Sequence, residues 1–153
     1  MFKRVLLCHD GTSAGRRALR RGAELAIELK AHVDILAIVP DGVTDPAVIA
    51  AAAGSSCFVE ESSVGLAQVL RESIQRLKDR GVMAEGHMAT GDTVDQITAY
   101  AKRLAIDLIV LGHYPQSSGG FWWWRGSPNV PLAERTNCCV LVAVDDLSHP
   151  RVS

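Results

Sequence analysis

The stretch RVLLCHDGTSAGRRALRRGAELAIELKAHVDILAIV, residues 4 to 39, decides the fold class. RVLLC (4–8) is a short apolar run ended by HDGTS, whose Asp, Gly, Thr and Ser bring turn and helix-start chemistry. It predicts a buried strand followed at once by a helix. From Ser13 to Ala31, Ala14, Ala18, Leu19, Ala23, Ala26 and Ile27 alternate with Arg16, Arg17, Arg20, Arg21, Glu24 and Glu28 in near-helical rhythm. One face is apolar and the other charged, as in a helix lying on a sheet. HVDILAIV (32–39) is a second β-branched run, closed by PDG. Strand, helix and strand with short joints make a parallel βαβ unit. The fold class is therefore α/β.

The alternation continues outward from this unit. An Ala-rich piece and a GSSC interruption lead into a long amphipathic helix predicted from about Ser62 to Arg80, with a less regular helical segment before it. GVMAEGHMATG (81–91) reads as a half-exposed strand, and Val94, Ile97, Ala101 and Leu104 mark another helix. DLIVLG (107–112) is the most fully apolar strand, expected at the centre of the sheet with both faces covered. SPNVPLAERT predicts a short helix with Ser127 as N-cap and Pro128 at the first helical position. CCVLVAV (138–144) is the last strand and DDLSHPRVS a polar tail. Five strands interleaved with about four helices make an open, doubly wound sheet. A single domain over residues 1–146 and a polar tail over 147–153 are expected.

Composition narrows the function. A chain of 153 residues that is 48% hydrophobic has enough apolar matter for one continuous core. The net charge is −1 and the basic residues are dispersed, which weakens the electrostatic attraction that drives nucleic-acid binding. No apolar run reaches the length of a membrane span, and the start MFKRVLLCHDG lacks the shape of a secretory signal. A cytoplasmic protein with neither nucleic-acid nor membrane partners is expected. Cys8, Cys57, Cys138 and Cys139 have no framework or CxxC spacing and read as reduced, mostly buried thiols. The five histidines form no HxxxH or HExxH set, so no dedicated zinc site and no metal ligands are assigned. Walker A, GxGxxG and GxSxG sequences are absent, which disfavours P-loop ATPases, standard dinucleotide dehydrogenases and serine hydrolases.

Ligands of open α/β sheets settle beyond the carboxyl ends of the strands, where the strand order reverses. Three loops matter on that rule: HDGTS after the first strand, VPDG after the second, and GHYPQSSGGFWWWRGS (112–127) after the fourth. The last ends in RGS running into a helix. The Gly126 and Ser127 amides and the Ser127 hydroxyl either meet an anion there, aided by the helix dipole, or form an ordinary cap after a turn.

VLLCHDGTSAGRRALRRGAELA, GDTVDQITAYAKRLAIDLIVLG, and RGS followed by CCVLVAV together resemble the universal stress protein family over nearly the whole chain. The resemblance implies a five-stranded parallel sheet of order 3-2-1-4-5 with helices on both faces, the adenine-nucleotide alpha-hydrolase-like arrangement. It also implies a homodimer through the last strand, Cys138 to Val144, which would cover an otherwise exposed edge. ATP-binding members of the family carry Gly, two residues, Gly, nine residues, then Gly and Ser or Thr after the fourth strand. Here Gly112, Gly126 and Ser127 match, while Pro115 stands where the second glycine belongs and the loop is one residue longer. Proline offers no N–H to a phosphate, so the usual cradle cannot form unmodified; Gly119 or Gly120 offers another path. Asp10 matches the acidic residue beside the adenine, and Val39 the position ending the second strand. The resemblance thus implies ATP, with Mg²⁺, held by Asp10, Val39, Gly112, Gly126 and Ser127. A family branch without the glycine motif implies the alternative, an interaction protein without nucleotide whose loop is closed by Pro115 and the tryptophans.

Trp122, Trp123 and Trp124, after Phe121, read as packing or dimer contact in preference to a lid over a base. His9 and His113 end neighbouring strands and, with Asp10, are placed at the rim of one crevice. Polar rim groups are preferred there over a general base or metal site, since no nucleophile or third ligand is fixed. A non-catalytic stress-response protein binding an adenine nucleotide is the favoured reading; a slow ATP hydrolase using His9, Asp10 or His113 is the enzymatic alternative.

Overall fold

In the computed structural model, residues 1–9, 13–39, 63–113 and 129–144 are described. They form β1 (Arg4–His9), α1 (Ser13–Leu29), β2 (His32–Val39), α2 (Ser63–Asp79), β3 (Ala84–Thr90), α3 (Thr93–Arg103), β4 (Leu108–His113), α4 (Asn129–Thr136) and β5 (Cys139–Val144). The irregular segment expected before α2, the Ser127 cap, the aromatic run and the tail lie outside the described residues.

The five strands form one sheet of order β3-β2-β1-β4-β5, and every neighbouring pair is parallel. This is the order implied by the family resemblance. β1 and β2 are buried along almost their whole length because side chains on both sheet faces are covered. On one face Val5, Leu7, Ile35 and Val110 meet Leu19 and Ala26 of α1 and Leu70 and Leu77 of α2. On the other, Leu6, Leu36, Ile38, Ile109 and Leu111 meet Ile97 and Ala101 of α3 and Leu132 of α4. Each fully buried Leu or Ile contributes about 2 kcal/mol from apolar burial before the cost of ordering it.

β4 is buried as its composition predicts, from Leu108 to Leu111. It runs one residue past the expected end, to His113, because pairing with β5 extends to His113↔Val144. β3 is the half-exposed strand expected: it lies at an edge, so Glu85, Gly86, Met88 and Thr90 are exposed while His87 and Ala89 are half-buried. Each helix is followed by a residue in the left-handed region: Lys30, Gly81, Ala105 and Asn137. That geometry lets the chain turn sharply into the next strand, and only Gly81 adopts it without steric cost.

The thiols correct one expectation. Cys8 is buried, but Cys138 is only half-buried and Cys139 is exposed. The last strand lies at the open edge of the sheet, so Cys139 and Leu141, 40% exposed, lack the cover that the central strands have. Cys138 precedes the strand and donates its thiol hydrogen to the Ile106 carbonyl at 2.9 Å. Among the described residues no helix is long and apolar enough to cross a membrane.

Candidate functional site

Because all five strands are parallel, their carboxyl ends share one edge of the sheet. The chain leaves β1 toward β2 on one side and reaches β4 on the other, which puts the reversal of strand order between β1 and β4. Register brings the expected residues to this place. Leu7 pairs with Val110, so two residues further along both strands His9 and Gly112 are level. Val39 extends two residues past Ala37, the partner of His9.

Gly112 is buried in β4, and Val39 is half-buried, its carbonyl accepting the Gly91 N–H at 3.2 Å. α4 begins at Asn129, two residues after Ser127, and is anchored on the sheet by fully buried Leu132. Asp10, Pro115, Trp122, Trp123, Trp124, Gly126 and Ser127 lie outside the described residues, as does the side chain of His113.

His9 is not a rim residue. It is 2% exposed, because α1 starts four residues later and its first turn closes over the end of β1. Burial, helped by the positive charge of Arg16 and opposed by a hydrogen bond to the Gly15 backbone, lowers its pKa to about 4. At neutral pH it is an uncharged part of the core.

The amino-terminal edge carries a second constellation that motif searching did not reveal. Alternate residues of a strand share a face, and on the face covered by α3 and α4 the strand beginnings present Arg4, His32, Asp34, Glu85 and His87. Asp34, directly opposite Glu85 in the β2–β3 register, is fully buried. Arg4 donates to it from Nε at 2.7 Å and from Nη2 at 3.2 Å, and His87 donates from Nε2 at 2.9 Å. Burial alone would push the Asp34 carboxyl up. The hydrogen bonds from Arg4 and His87, with the electrostatic influence of Arg4 and His32, hold it below the usual carboxylate range. The same pairing raises the Arg4 pKa, chiefly through its hydrogen bond to Asp34.

Neighbouring groups fix the frame. The Tyr100 ring sits 5.3 Å from the His87 ring, and the Arg103 guanidinium stacks 4.3 Å above Tyr100. Asp107 accepts the Lys3 and Arg4 amides at 2.8 and 3.1 Å, tying β1 to the start of β4. The sequence signal was the pair of two-residue spacings, H-x-D at 32–34 and E-x-H at 85–87. It becomes meaningful only when the register of β2 against β3 is known.

A parallel sheet in this order, reversing between β1 and β4 with helices on both faces, defines the adenine-nucleotide alpha-hydrolase-like class of α/β domain. Residues 1–144 match the universal stress protein family, and the chain belongs to it. It is 27% identical over 148 residues to universal stress protein YxiE of Bacillus subtilis (strain 168), spanning 93% of this chain and 99% of that protein. The fold is shared with a universal stress protein solved in complex with cAMP, with TM-score 0.62, 22% identity and coverage of 93% and 97% of the two chains. It is also shared with a universal stress protein family member of Arabidopsis thaliana solved with AMP bound, with TM-score 0.60, 15% identity and coverage of 98% and 97%.

Proposed function

We propose that this chain is a cytoplasmic stress-response protein that binds an adenine nucleotide, ATP with Mg²⁺, beyond the carboxyl ends of β1 and β4, without efficient catalysis. The observation that carries the reading is the placement of His9, Val39 and Gly112 at one edge of the sheet, at the reversal of strand order, with α4 starting just after Gly126 and Ser127. Backbone N–H groups and the helix dipole favour phosphate at such a point. Two proteins of the same fold hold adenine nucleotides, cAMP and AMP.

The described residues suit adenine better than they suit acid–base chemistry. Val39 is half-buried and apolar, a surface on which a base can lie. Gly112 has no side chain to obstruct the approach. His9 is neutral and covered, so it brings neither charge nor an accessible base to bound phosphates. Asp10 would stand beside the adenine, and Gly126 and Ser127 would meet the phosphates. Bound Mg²⁺ would neutralise phosphate charge. The exposed edge of β5, with Leu141 open, supports a homodimer through that strand.

Titration calorimetry of Gly126→Val and Ser127→Ala with ATP and Mg²⁺ tests the site. Loss of a glycine at a close backbone approach should weaken binding by at least about 10-fold, and loss of one hydroxyl hydrogen bond by roughly 5- to 10-fold. Dissociation constants unchanged in both variants would remove the assignment. The replacement of the second glycine by Pro115 supports the second reading, an interaction protein without nucleotide; nucleotide released on denaturing the purified protein would exclude it.

A further inference from the structure

The side-chain cluster at the amino-terminal edge has no part in the nucleotide reading, since strand-borne groups at Arg4, His32, Asp34, Glu85 and His87 lie at the opposite end of the sheet. We propose that His32, Asp34 and Glu85 form a binding site for a divalent transition-metal ion of the Zn²⁺ class, in which Arg4 is the cation that the metal displaces.

Three observations carry the assignment. One ligand atom from each of His32, Asp34 and Glu85 lies within 4.8 Å of the others. The buried Nε2 of His32 has no hydrogen-bond partner and stands 3.7 Å from Asp34 Oδ2. A buried polar nitrogen without a partner is costly, and an ion between it and the carboxylate would satisfy it. The third observation is the position of the Arg4 guanidinium, 2.7 Å from Asp34 Oδ2 and 4.0 Å from Glu85 Oε2. A positive charge therefore already stands between the two carboxylates that a metal would bridge.

Geometry and ligand type specify the ion. Four-coordinate Zn²⁺ with nitrogen and oxygen ligands at about 2.1 Å places those atoms about 3.4 Å apart. His32 and Asp34 are close to that separation, and the Glu85 side chain, 60% exposed, is free to close the remainder by rotation. An imidazole with two carboxylates suits Zn²⁺ and its first-row neighbours, whereas Ca²⁺ and Mg²⁺ take oxygen ligands. Three protein ligands leave the fourth position for water.

The surroundings supply the outer support that such sites use. His87 donates to Asp34 Oδ1 at 2.9 Å, leaving Oδ2 for the metal and fixing the plane of the carboxylate. Tyr100 packs against His87 and holds the ring in place. Arg4 is about one-third exposed, so its guanidinium can turn into solvent when the metal arrives. The net charge of Asp34 and Glu85 is then balanced by the ion in place of the arginine.

The test is titration of the purified protein, without added nucleotide, with Zn²⁺ under chelator competition and with Co²⁺ followed by visible absorption. The expected result is one ion per chain, a Co²⁺ spectrum of nitrogen–oxygen type, and a rise in melting temperature with Zn²⁺. His32→Gln, at a half-buried position with no hydrogen bond to lose from Nε2, and Glu85→Gln, at an exposed one, should leave the fold intact, and each is expected to weaken binding by at least about 10-fold and to abolish the melting shift. Arg4→Gln, which removes the competing charge, should tighten it. Failure of the wild-type protein to saturate with either ion would overturn the proposal. So would affinity unchanged from the wild type in both ligand variants, or a thiolate-to-cobalt band placing the metal at Cys138 or Cys139.

Discussion

The two ends of this sheet are made from the same five strands, yet they offer chemistry by different means. At the carboxyl end the described strand termini are nearly featureless: a neutral buried His9, an apolar Val39 and a glycine at 112. The proposed recognition at this end therefore rests on main-chain groups and on residues beyond the strand termini rather than on strand-borne side chains. At the amino end the charged groups grow directly from the strands, and Asp34 holds Arg4 and His87 within 2.7 to 3.2 Å. Strand-borne side chains are held by the ladder beneath them, so that end is preorganised by the fold itself. The two proposed sites are thus held apart by the length of the strands, Arg4 to His9 in β1 and His32 to Val39 in β2.

The largest effect is expected at Asp34. Asp34→Ala leaves the guanidinium of Arg4 and the ring of His87 without their acceptor inside the sheet. Because the one-third-exposed Arg4 can turn to solvent, the loss is that of charge-assisted hydrogen bonds, about 1.5 to 3 kcal/mol, and urea unfolding should show a loss of that order. A loss below about 1 kcal/mol would mean that the cluster is solvated and adaptable rather than preorganised.

His9 gives a second, pH-dependent contrast. Its folded pKa, about 4, lies below the ordinary value of 6.5, so the unfolded chain binds the proton more readily. Stability from the neutral ring is therefore fully present above about pH 6.5 and is lost as pH falls toward 4, by up to about 3 kcal/mol. Asp34, with its pKa held below 3.8, acts only in more acid solution. Urea midpoints at pH 7 and pH 5 should differ in the wild type and much less in His9→Gln. An equal pH dependence in both would assign the titration to other groups.

Helix ends give the smallest contrast. At the carboxyl edge Asp92 caps α3 by accepting the Asp95 N–H at 2.9 Å, and Asp92→Ala should cost about 1 kcal/mol. At the amino edge Ala105 is held at φ 52°, and Ala105→Gly should relieve about 1 kcal/mol of strain. Thermal melts that move in the same direction for both would contradict this reading of the termini.

These residues also show what could be read in the chain before its structure. The βαβ unit of residues 4–39 and the apolar run of β4 declare themselves because burial on both faces produces unbroken hydrophobic strands and helical rhythm between them. Strand order came from family resemblance, since apolar periodicity carries no information about which strands are neighbours. His9 was misplaced at a rim because a strand-ending histidine says nothing of the helix turn that folds back over it. The amino-edge cluster escaped because ligand motifs are sought at helical spacing. Here two alternating pairs on adjacent strands, 32–34 and 85–87, meet only through the Asp34↔Glu85 register.

The proposed adenine-nucleotide site lies at the plain, loop-dependent end of the sheet. Its most direct test is calorimetric titration of the purified wild-type protein with ATP and Mg²⁺, beside a denatured sample assayed for nucleotide carried through purification. Saturable binding at one site per chain, or nucleotide already present in the denatured sample, is the expected result. Absence of both heat and bound nucleotide would contradict it, and would place the function of this family member in protein contacts around Pro115 and the tryptophan run.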